Sequence, residues 1–439
     1  MFDGFLRVAA ATPDIRVADC NFNGASAAAL VSEAYEQGVS LLVLPELCLT
    51  GYTCSDLFLQ ESLLDGAGKA LLTLTEATRD KNMVVLAGLP LTVNGVLYNV
   101  AAVLHDGDIL GFVPKSYLPT YSEFYEGRHY HSGADIETDV LFNGRTYPFG
   151  TRLLFRCRQM PAFTLGIEIC EDLWVAQPPS ISHALAGATV IANLSASDET
   201  TGKDIYRRSL VSGQSARLVC GYIYADAGEG ESSTDLVFGA HNLICENGSI
   251  LAESERFSNQ MIMADMDMSK LISERRRMTT WQPKFDNGYR VIDFDLELHE
   301  VDLRRFIDPH PFVPDDAMDR TRRCEEILTI QAMGLKKRLA HTHCRHAVVG
   351  ISGGLDSTLA LLVTVRAFDM LDMDRSQIMA VTMPCFGTTD RTYHNACELV
   401  RRLGATLEEV DIKEAVTLHF SDIGQDPANH DVTYENGQA

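Results

Sequence analysis

The sequence has few basic residues for its size. Its 439 residues include 37 lysines and arginines against 60 aspartates and glutamates, a formal net charge of −23. A field of that sign disfavours general binding to nucleic acids or anionic membranes, and an anionic substrate would need a local positive site. The chain also lacks an unbroken apolar run of about 20 residues, the length that a membrane-spanning helix needs. Its longest apolar region, 83–104, is interrupted by glycine, proline and asparagine, which favours strands joined by turns.

The sequence also lacks the features of a signal peptide and of a disulfide framework. No basic region precedes the first apolar stretch, so we expect no signal peptide. The 11 cysteines are odd in number and scattered, which fits reduced thiols in the cytoplasm better than paired cysteines. Hydrophobic residues make up 46% of the chain, enough for packed cores. At about 100–200 residues per domain, the length predicts two or more domains.

The order of apolar patterns divides the chain into three parts. Short β-rich runs alternate with helix-period stretches over residues 1–275, which predicts a layered α/β domain. Residues 276–316 are charged and contain prolines, and we interpret them as a linker. Residues 317–439 begin with a helix and continue from His346 as strand, glycine turn, helix, strand, helix and strand. That order predicts a parallel sheet with right-handed crossovers.

Three polar residues follow apolar strands in the first part. Glu46 lies in LLVLPELCLTGY, Lys115 is bracketed by prolines in GFVPKSYLP, and Cys170 ends the strand of GIEICEDLW. Each has an ordinary alternative: a helix cap, a solvated loop residue, and a core cysteine kept inert by burial and acidic neighbours. Together they would form a reactive set. The lysine favours a thiolate and an oxyanion, and the glutamate serves as general base.

These segments resemble the nitrilase superfamily of carbon–nitrogen hydrolases over residues 1 to about 275. The resemblance implies an αββα sandwich with Glu46 as base, Lys115 as stabiliser of the thiolate and oxyanion, and Cys170 as the nucleophile that forms an acyl-thioester. LPTYSEFYEGR and NLSASDETTGK further resemble the glutaminase branch. The pocket for free glutamine that this implies is lined by Tyr121, Glu171, Ser197 and Lys203. Asp198 departs from the proline that relatives often have there, and a solvated loop lysine is the alternative for Lys203.

The third part contains a second glycine-based feature, HAVVGISGGLDSTLALLV. Gly353 and Gly354 allow backbone N–H groups to approach an anion, and the following helix adds its positive N-terminal end. Ser352 and Ser357 offer hydroxyl donors, and Asp356 offers the oxygen ligands that Mg²⁺ prefers. No G-x-x-x-x-G-K-[ST] sequence occurs, so this is not the common triphosphatase loop. An ordinary strand-to-helix connection is the alternative.

The upstream stretch HTHCRH contains residue types that bind zinc: His341, His343, Cys344 and His346. Two ligand pairs separated by a loop are missing from it. We therefore interpret it as a polar loop before a nucleotide-binding strand.

The complete SGGLDS motif resembles the pyrophosphate loop of ATP-pyrophosphatase enzymes, which release diphosphate and adenylate an acyl or carbonyl oxygen. The ATP contacts implied are Ser352, Gly353, Gly354, Leu355, Asp356 and Ser357. MPCFGTTDRTYHNACELVRRLG resembles the next strand and helix of NAD synthetases and implies an adenine contact at Met383. HDVTYENGQA resembles a dinucleotide-contacting stretch, with Glu435 and Asn436 as candidates. The resemblance implies an incomplete, doubly wound parallel α/β nucleotide-binding domain, present as its N-terminal part over 317–439.

Together the two domains resemble the family of glutamine-dependent NAD synthetases. This implies hydrolysis of L-glutamine to glutamate and ammonia, ATP-driven adenylation of deamido-NAD, and displacement of AMP by ammonia, with diphosphate as co-product. It implies Mg²⁺ but no prosthetic group, no nucleic-acid or membrane partner, ammonia passage between sites, and a cytoplasmic homo-oligomer. Two alternatives stay open. One is a free-standing amidase with a nucleotide-sensing C-terminal module, and the other is a binding or scaffold protein with an inactive triad.

Overall fold

The computed structural model describes residues 4–284, 288–386 and 390–438. The chain divides into two compact units, Met1–Phe306 and Ile307–Ala439. The first unit contains the strands β1 Phe5–Ala11, β2 Leu41–Val43, β3 Val84–Val93, β4 Val96–His105, β5 Asp108–Pro114, β6 Glu137–Phe142, β7 Arg145–Gly150, β8 Leu153–Cys157, β9 Thr164–Ile169, β10 Val190–Ser195, β11 Gly221–Asp226, β12 Leu243–Glu246, β13 Ser249–Glu253, β14 Met261–Asp267 and β15 Arg290–Phe294. Its helices are α1 Cys20–Glu36, α2 Glu61–Ala77, α3 Pro179–Leu185, α4 Lys203–Leu218 and α5 Met268–Arg277.

Two sheets form the centre of the first unit. One has the strand order β14-β1-β2-β3-β4-β5-β7-β6 and the other β13-β12-β11-β10-β9-β8-β15. Successive side chains of a strand point to opposite faces. Thus Val8 and Ala10 of β1 pack in the core shared with the second sheet, whereas Ala9 packs in the core that includes α1 and α2. A further core packs α3 and α4 against the second sheet. The predicted αββα sandwich is confirmed.

Much of the stretch interpreted as a linker, 276–316, packs on the first unit. Strand β15 pairs in parallel with β8, and Phe294 is buried. Arg305 donates to both carboxylate oxygens of the buried Glu246 at 2.7 and 2.9 Å. Charged composition suggested a linker here, but charged side chains of this stretch have carboxylate partners far away in sequence. The boundary between the units falls after Phe306.

The second unit is a three-stranded parallel sheet with helices. Its strands, in sheet order, are β16 Ala347–Gly350, β17 Ile378–Thr382 and β18 Thr406–Glu409. Its helices are α6 Ala317–Thr342, α7 Leu355–Asp369, α8 Asp390–Leu403, α9 Lys413–Ile423 and α10 Val432–Gln438. Side chains of α6, α7 and α8 form one core with the sheet. The predicted strand and helix order is therefore confirmed. Within the described residues, no helix combines the length and apolar character needed to cross a bilayer.

Candidate active site

The three residues singled out at strand ends meet in the first unit. Lys115 directly follows β5, Cys170 directly follows β9, and Glu46 lies three residues after β2. The Lys115 ammonium donates to Glu46 Oε1 at 2.6 Å, and both side chains are fully buried. Cys170 is 7% exposed, and both charges influence its pKa. The structure thus places a carboxylate and a cation within electrostatic reach of the thiol.

A close backbone contact fixes the turn that carries Glu46. A Cβ atom at Gly88, in β3, would lie 2.2 Å from Leu47 N and 2.7 Å from Pro45 O. Only glycine allows the turn to lie this close to β3. Asn99 then donates to Glu46 Oε1 at 2.6 Å. The general-base candidate is held by strand packing as well as by its own hydrogen bonds.

Glu126, which the sequence analysis did not single out, is a second carboxylate on Lys115. The ammonium donates to Glu126 Oε1 at 2.6 Å, and the Tyr52 hydroxyl donates to the same oxygen at 2.9 Å. Burial raises the pKa of Glu126 to about 7; the Lys115 charge opposes this rise and the Glu46 carboxylate adds to it. Glu126 lies in the segment LPTYSEFYEGR, which also contains Glu123. Nothing in the sequence indicates which of the two glutamates contacts Lys115.

The charges in the site favour an ammonium beside a neutral thiol. Burial by itself would lower the pKa of Lys115, but Glu126 and Glu46 hold it well above its ordinary value. Burial raises the pKa of the Cys170 thiol well above its ordinary value; Glu46 adds to the rise and Lys115 opposes it. The thiol therefore keeps its proton until a base accepts it, and Glu46 is the carboxylate with the largest influence on that proton.

The backbone turns sharply at Cys170. Its φ of +44° lies in the left-handed region, which is strained for a residue with a Cβ and is found at functional turns. Cys170 N–H donates to Asn193 Oδ1 at 3.1 Å, which anchors the turn to β10. The chain then continues as the short 3-10 turn Cys170–Leu173. This geometry separates the thiol from the regular pleat of β9.

The three acids that surround Cys170 in GIEICEDLW each have another partner. Glu168 accepts a hydrogen bond from the Tyr222 hydroxyl, and Glu171 accepts one from the Tyr121 hydroxyl at 2.9 Å. Asp172 accepts from backbone N–H groups of two segments of the site. The acidic neighbours are thus engaged in hydrogen bonds of their own.

Asp172 connects the segments that carry Lys115 and Cys170. Its carboxylate accepts from Tyr117 N at 2.8 Å and Ser116 N at 3.1 Å, just after Lys115. It also accepts from Ile169 N at 3.0 Å, just before Cys170. Burial raises the pKa of Asp172 to about 7, although these N–H donors favour the charged form. One side chain therefore sets the spacing between the two segments.

Of the residues predicted for the glutamine pocket, Tyr121 and Glu171 lie together through their hydrogen bond. The Ser197 hydroxyl accepts from Arg207 Nη2 at 3.1 Å, and Ser197 N donates to Asp226 Oδ1 at 2.8 Å. Ser197 is 2% exposed. In this structure its polar groups therefore bond to the protein interior.

Lys203 forms an ion pair with Asp198, the residue that departs from the relatives' pattern. Its ammonium also lies 5.3 Å from the centroid of the Trp174 ring and 6.0 Å from that of Phe124, within the range of cation–π attraction. Lys203 thus contacts three segments of the chain, which contain Asp198, Trp174 and Phe124. The sequence showed the unusual aspartate but not its partner, because the pairing depends on the path of the loop.

A cavity of about 420 Å³ opens beside the Lys115 network. Its lining includes Tyr52, Phe58, Glu123, Glu126, Tyr130 and Leu236. Among the residues that the structure describes, Tyr130 OH and Glu126 Oε2 are buried without a hydrogen-bond partner. The open space therefore borders the carboxylate that holds Lys115.

The glycine loop of the second unit has the geometry of an anion cradle. Gly353 has a φ of +83°, and a Cβ there would lie 2.2 Å from Thr392 O. The Ser357 hydroxyl bonds to Ser352 N and to Gly354 O, both at 3.2 Å. Helix α7 begins at Leu355, so its N-terminal N–H groups face the same loop. An anion bound here would meet backbone donors and the helix dipole.

Other residues predicted around this loop are exposed. Asp356 lies in the first turn of α7 and Met383 follows β17, at the same edge of the parallel sheet as the loop. Glu435 and Asn436 lie on α10. A lone exposed carboxylate fits Mg²⁺, which is commonly held between one carboxylate and substrate phosphates. Throughout the described ranges, no three histidine, cysteine or acidic side chains group to hold a metal ion.

Two family models match the chain. The one described as carbon-nitrogen hydrolase matches residues 7–276, and the one described as NAD synthase matches residues 327–439. The first match extends over more than half of the chain, and the chain belongs to the carbon–nitrogen hydrolase family.

Relatives match across both units. The glutamine-dependent NAD(+) synthetase of Mycobacterium tuberculosis (strain H37Rv) is 43% identical over 450 residues, which cover 99% of this chain and 66% of that protein. The chain thus spans just under two thirds of that relative's length. The glutamine-dependent NAD(+) synthetase structure from Cytophaga hutchinsonii aligns with a TM-score of 0.54 at 22% identity, covering 99% of this chain and 71% of that one. The Acinetobacter baumannii enzyme in complex with ADP aligns with a TM-score of 0.52 at 23% identity, covering 99% and 70%. These two structures share the fold.

Proposed function

We propose that this chain carries the glutamine-hydrolysing site of a glutamine-dependent NAD synthetase in its first unit and the synthetase's ATP-binding loop in its second. The observation that carries the proposal is the buried Lys115, bonded at 2.6 Å to Glu46 and to Glu126 beside Cys170. The SGGLDS loop at the start of α7 supports the second part. The relative of 43% identity matches across both units.

Glutamine hydrolysis would proceed through a thioester on Cys170. The thiol sulfur attacks the carboxamide carbon while Glu46 accepts the thiol proton. The Lys115 ammonium stabilises the oxyanion, and Glu126 keeps that ammonium in place. The tetrahedral intermediate expels ammonia as Glu46 returns the proton to the leaving nitrogen. Glu46 then takes a proton from water, which attacks the thioester carbon; the C–S bond breaks, glutamate leaves, and Glu46 returns that proton to the Cys170 sulfur.

The free amino acid would be selected by charge. Glu171, held by Tyr121, offers a carboxylate to the α-ammonium group of glutamine. Lys203 is the candidate for the α-carboxylate, and binding there requires its ammonium to share or exchange the Asp198 partner. Ser197 would contribute through its backbone carbonyl, because its hydroxyl accepts from Arg207 and its N–H donates to Asp226.

In the second unit, ATP would bind with its phosphates in the loop Ser352–Ser357 and its adenine near Met383. Asp356 would hold Mg²⁺, which neutralises phosphate charge as diphosphate leaves. Ammonia would displace AMP from adenylated deamido-NAD, whose contacts include Glu435 and Asn436. The proposal includes a cytoplasmic homo-oligomer. It also includes direct passage of ammonia from the glutaminase site to the synthetase site, because ammonia that escaped to solvent would become ammonium.

The test is a product assay on the whole chain. Glutamate and ammonia are measured with glutamine alone, and AMP is measured after Mg²⁺-ATP and deamido-NAD are added. Glutamine hydrolysis is the expected result for this chain, and deamido-NAD-dependent AMP formation is expected from a chain that spans the full length of the 43% identical relative. Faster hydrolysis of simple amides than of glutamine, without AMP, would favour the free-standing amidase. A folded chain that hydrolyses no amide would contradict the glutaminase assignment.

Replacing Asp172 with asparagine tests the connection between the catalytic segments. Asparagine has one acceptor oxygen, and its NH₂ group would face the backbone donors of Ile169 or Tyr117. We expect kcat for glutamine hydrolysis to fall about 10- to 100-fold, since small displacements of reacting groups have effects of that size. The free energy of unfolding should fall by about 1–3 kcal/mol. Steady-state kinetics and urea denaturation measure the two effects.

The exposed Asp65 on α2 provides the control for that experiment. Asp65→Asn should leave kcat and stability unchanged. A folded Asp172→Asn protein with the wild-type kcat would show that the two segments keep their spacing without this carboxylate.

Asp356→Asn tests the phosphate loop. We expect the affinity of the chain for Mg²⁺-ATP to fall about 10- to 100-fold, because contacts to charged groups contribute about 1.5–3 kcal/mol. Isothermal titration calorimetry gives the dissociation constant. Asp372→Asn, at an exposed position beyond α7, is the control. Equal affinity in both variants would argue that Asp356 has no role in ATP binding.

A further inference from the structure

Glu231 binds the backbone of a segment that leads to the active site. Its carboxylate accepts from Tyr52 N at 2.7 Å, from Thr53 N at 3.0 Å and from the Thr53 hydroxyl at 2.5 Å. Ser232 N donates to the same hydroxyl at 2.8 Å. Tyr52 and Thr53 begin the 3-10 segment Tyr52–Leu59. A residue 179 positions later thus satisfies the N–H groups that this segment leaves open.

Two glycines with positive φ border this contact, and each has little space for a side chain. Gly51 has a φ of +88°, and a Cβ there would lie 3.3 Å from Glu231 Oε2. Gly230 has a φ of +114°, and a Cβ there would lie 2.5 Å from Ile15 O. Each glycine borders one of the bonded partners, Tyr52 or Glu231. The carboxylate is therefore presented by a backbone that is itself fixed.

Tyr52 passes this constraint to the Lys115 network. Its hydroxyl donates to Glu126 Oε1, the oxygen that also accepts from the Lys115 ammonium. Its ring packs edge-on against Phe238 at a centroid distance of 5.8 Å. The region after Glu231 thus holds the ring while Glu231 holds the backbone. The hydroxyl position follows from both.

A second connection reaches the general base. Glu231 and Glu46 both line a cavity of about 10 Å³ with Thr12 and Cys48. That volume is close to the minimum that holds one water molecule. Displacement of Glu231 would therefore also change a cavity that Glu46 lines.

We propose that Glu231 is a positioning residue for glutamine hydrolysis, which fixes Tyr52 so that its hydroxyl holds Glu126 on the Lys115 ammonium. This inference rests on the proposed glutaminase function. Glu231 touches neither the thiol nor the carboxylates of the site by hydrogen bond; it acts through Tyr52. A purely structural cap of the 3-10 segment would affect stability but would not act through the Tyr52 hydroxyl.

The experiment compares Glu231→Gln with Glu229→Gln, an exposed acid of the same loop, in the whole chain. Glutamine at 231 keeps the size of the side chain but loses one acceptor oxygen and the charge. We expect kcat for glutamine hydrolysis to fall about 10- to 100-fold with little change in KM, because the misplaced groups act on the transition state. Glu229→Gln should match the wild type.

The Tyr52→Phe variant separates positioning from capping. It keeps the backbone bonds to Glu231 and removes only the hydroxyl that reaches Glu126. We expect a similar loss in kcat, and the double variant should be no slower than the slower single variant, because the two residues act in one chain of contacts. Multiplicative effects of the two substitutions would overturn the proposal.

The failures of the two proposals are distinguishable. A wild-type protein that hydrolyses glutamine, with an unchanged kcat in folded Glu231→Gln, rejects the positioning role alone. A folded wild-type protein without glutaminase activity rejects the proposed function and this inference with it. If Glu231→Gln does not fold, Thr53→Val removes the hydroxyl that bonds to Glu231 and to Ser232 N, and it leaves the backbone bonds of Tyr52 and Thr53 to Glu231 in place. A kcat reduced with KM unchanged in that variant supports the proposal, and a wild-type kcat overturns it.

Discussion

Cys170→Ala is expected to abolish glutamine hydrolysis, with a fall in kcat on the order of 10⁶-fold, the size observed when an activated nucleophile is removed. The turn at Cys170 has a φ of +44°, and alanine is no harder to place there than cysteine. Loss of activity would therefore report the missing sulfur. Ammonia release measures the glutaminase activity, and circular dichroism shows whether the variant is folded. Mg²⁺-ATP affinity should be unchanged, since the SGGLDS loop belongs to the other unit.

The matched control is Cys324→Ala, on the exposed part of α6. It should hydrolyse glutamine at the wild-type rate. A glutamine analogue with an electrophilic carbon should modify the wild type and Cys324→Ala once each, and Cys170→Ala not at all. Substantial turnover by folded Cys170→Ala would mean that the nucleophile lies elsewhere.

Lys115→Met should lower kcat about 10²- to 10³-fold, because the developing oxyanion loses its cation. It should also lower the free energy of unfolding by about 3–5 kcal/mol, the usual cost of removing one partner from a buried ion pair. Two carboxylates, Glu46 and Glu126, depend on this ammonium at 2.6 Å. Kinetics and urea denaturation at neutral pH measure the losses.

The stability loss in Lys115→Met should depend on pH. In the wild type, burial already raises the folded-state pKa of Glu126 to about 7, and Lys115 opposes the rise. A carboxyl with a raised folded-state pKa binds more protons folded than unfolded, so its contribution to stability falls as pH rises through that range. Without Lys115 the pKa rises further. The difference between mutant and wild type should therefore shrink in acid, where the carboxyl groups are protonated.

Glu46→Gln tests the general base, and its kcat is compared with that of Lys115→Met. It should lower kcat about 10²- to 10⁴-fold as a lost general base. The double variant with Lys115→Met should be much less impaired than the product of the two effects, since members of such a set act as a unit. A Lys115→Met protein with near-normal turnover would remove Lys115 from the reaction.

Local sequence was most informative where it described strand ends. The apolar runs before Glu46, Lys115 and Cys170 predicted three polar residues at the ends of strands, and β2, β5 and β9 lie there. The sequence likewise predicted the glycine turn before α7, because a strand, two glycines and a helix are each recognised from neighbouring residues. The αββα sandwich itself followed from the resemblance of the three segments to a family, and the strand pattern by itself predicted only a layered α/β domain.

Contacts between distant segments were not visible. Glu126 was one of two glutamates in its segment, and only the fold brings it to Lys115. The charged stretch after α5 suggested a linker, yet β15 completes a sheet. The Lys203–Asp198 pair also depended on the loop path. A hydrogen bond acts over about 3 Å, and the periodicity of a sequence carries no information on which distant groups come that close.

The sequence by itself determined the chemistry that is available: a thiol, an ammonium and a carboxylate after buried strands, and a glycine-serine turn before a helix. Those choices are local, because side-chain type and strand or helix period are properties of neighbouring residues. Only the tertiary structure decided how the groups are held. Two carboxylates share one ammonium, Asp172 spaces Lys115 from Cys170, and Glu231 reaches Tyr52 across 179 residues. Such contacts form where the two sheets stack and in the loops between them. Burial there makes each unpaired polar group costly, so polar groups find partners irrespective of their distance along the chain.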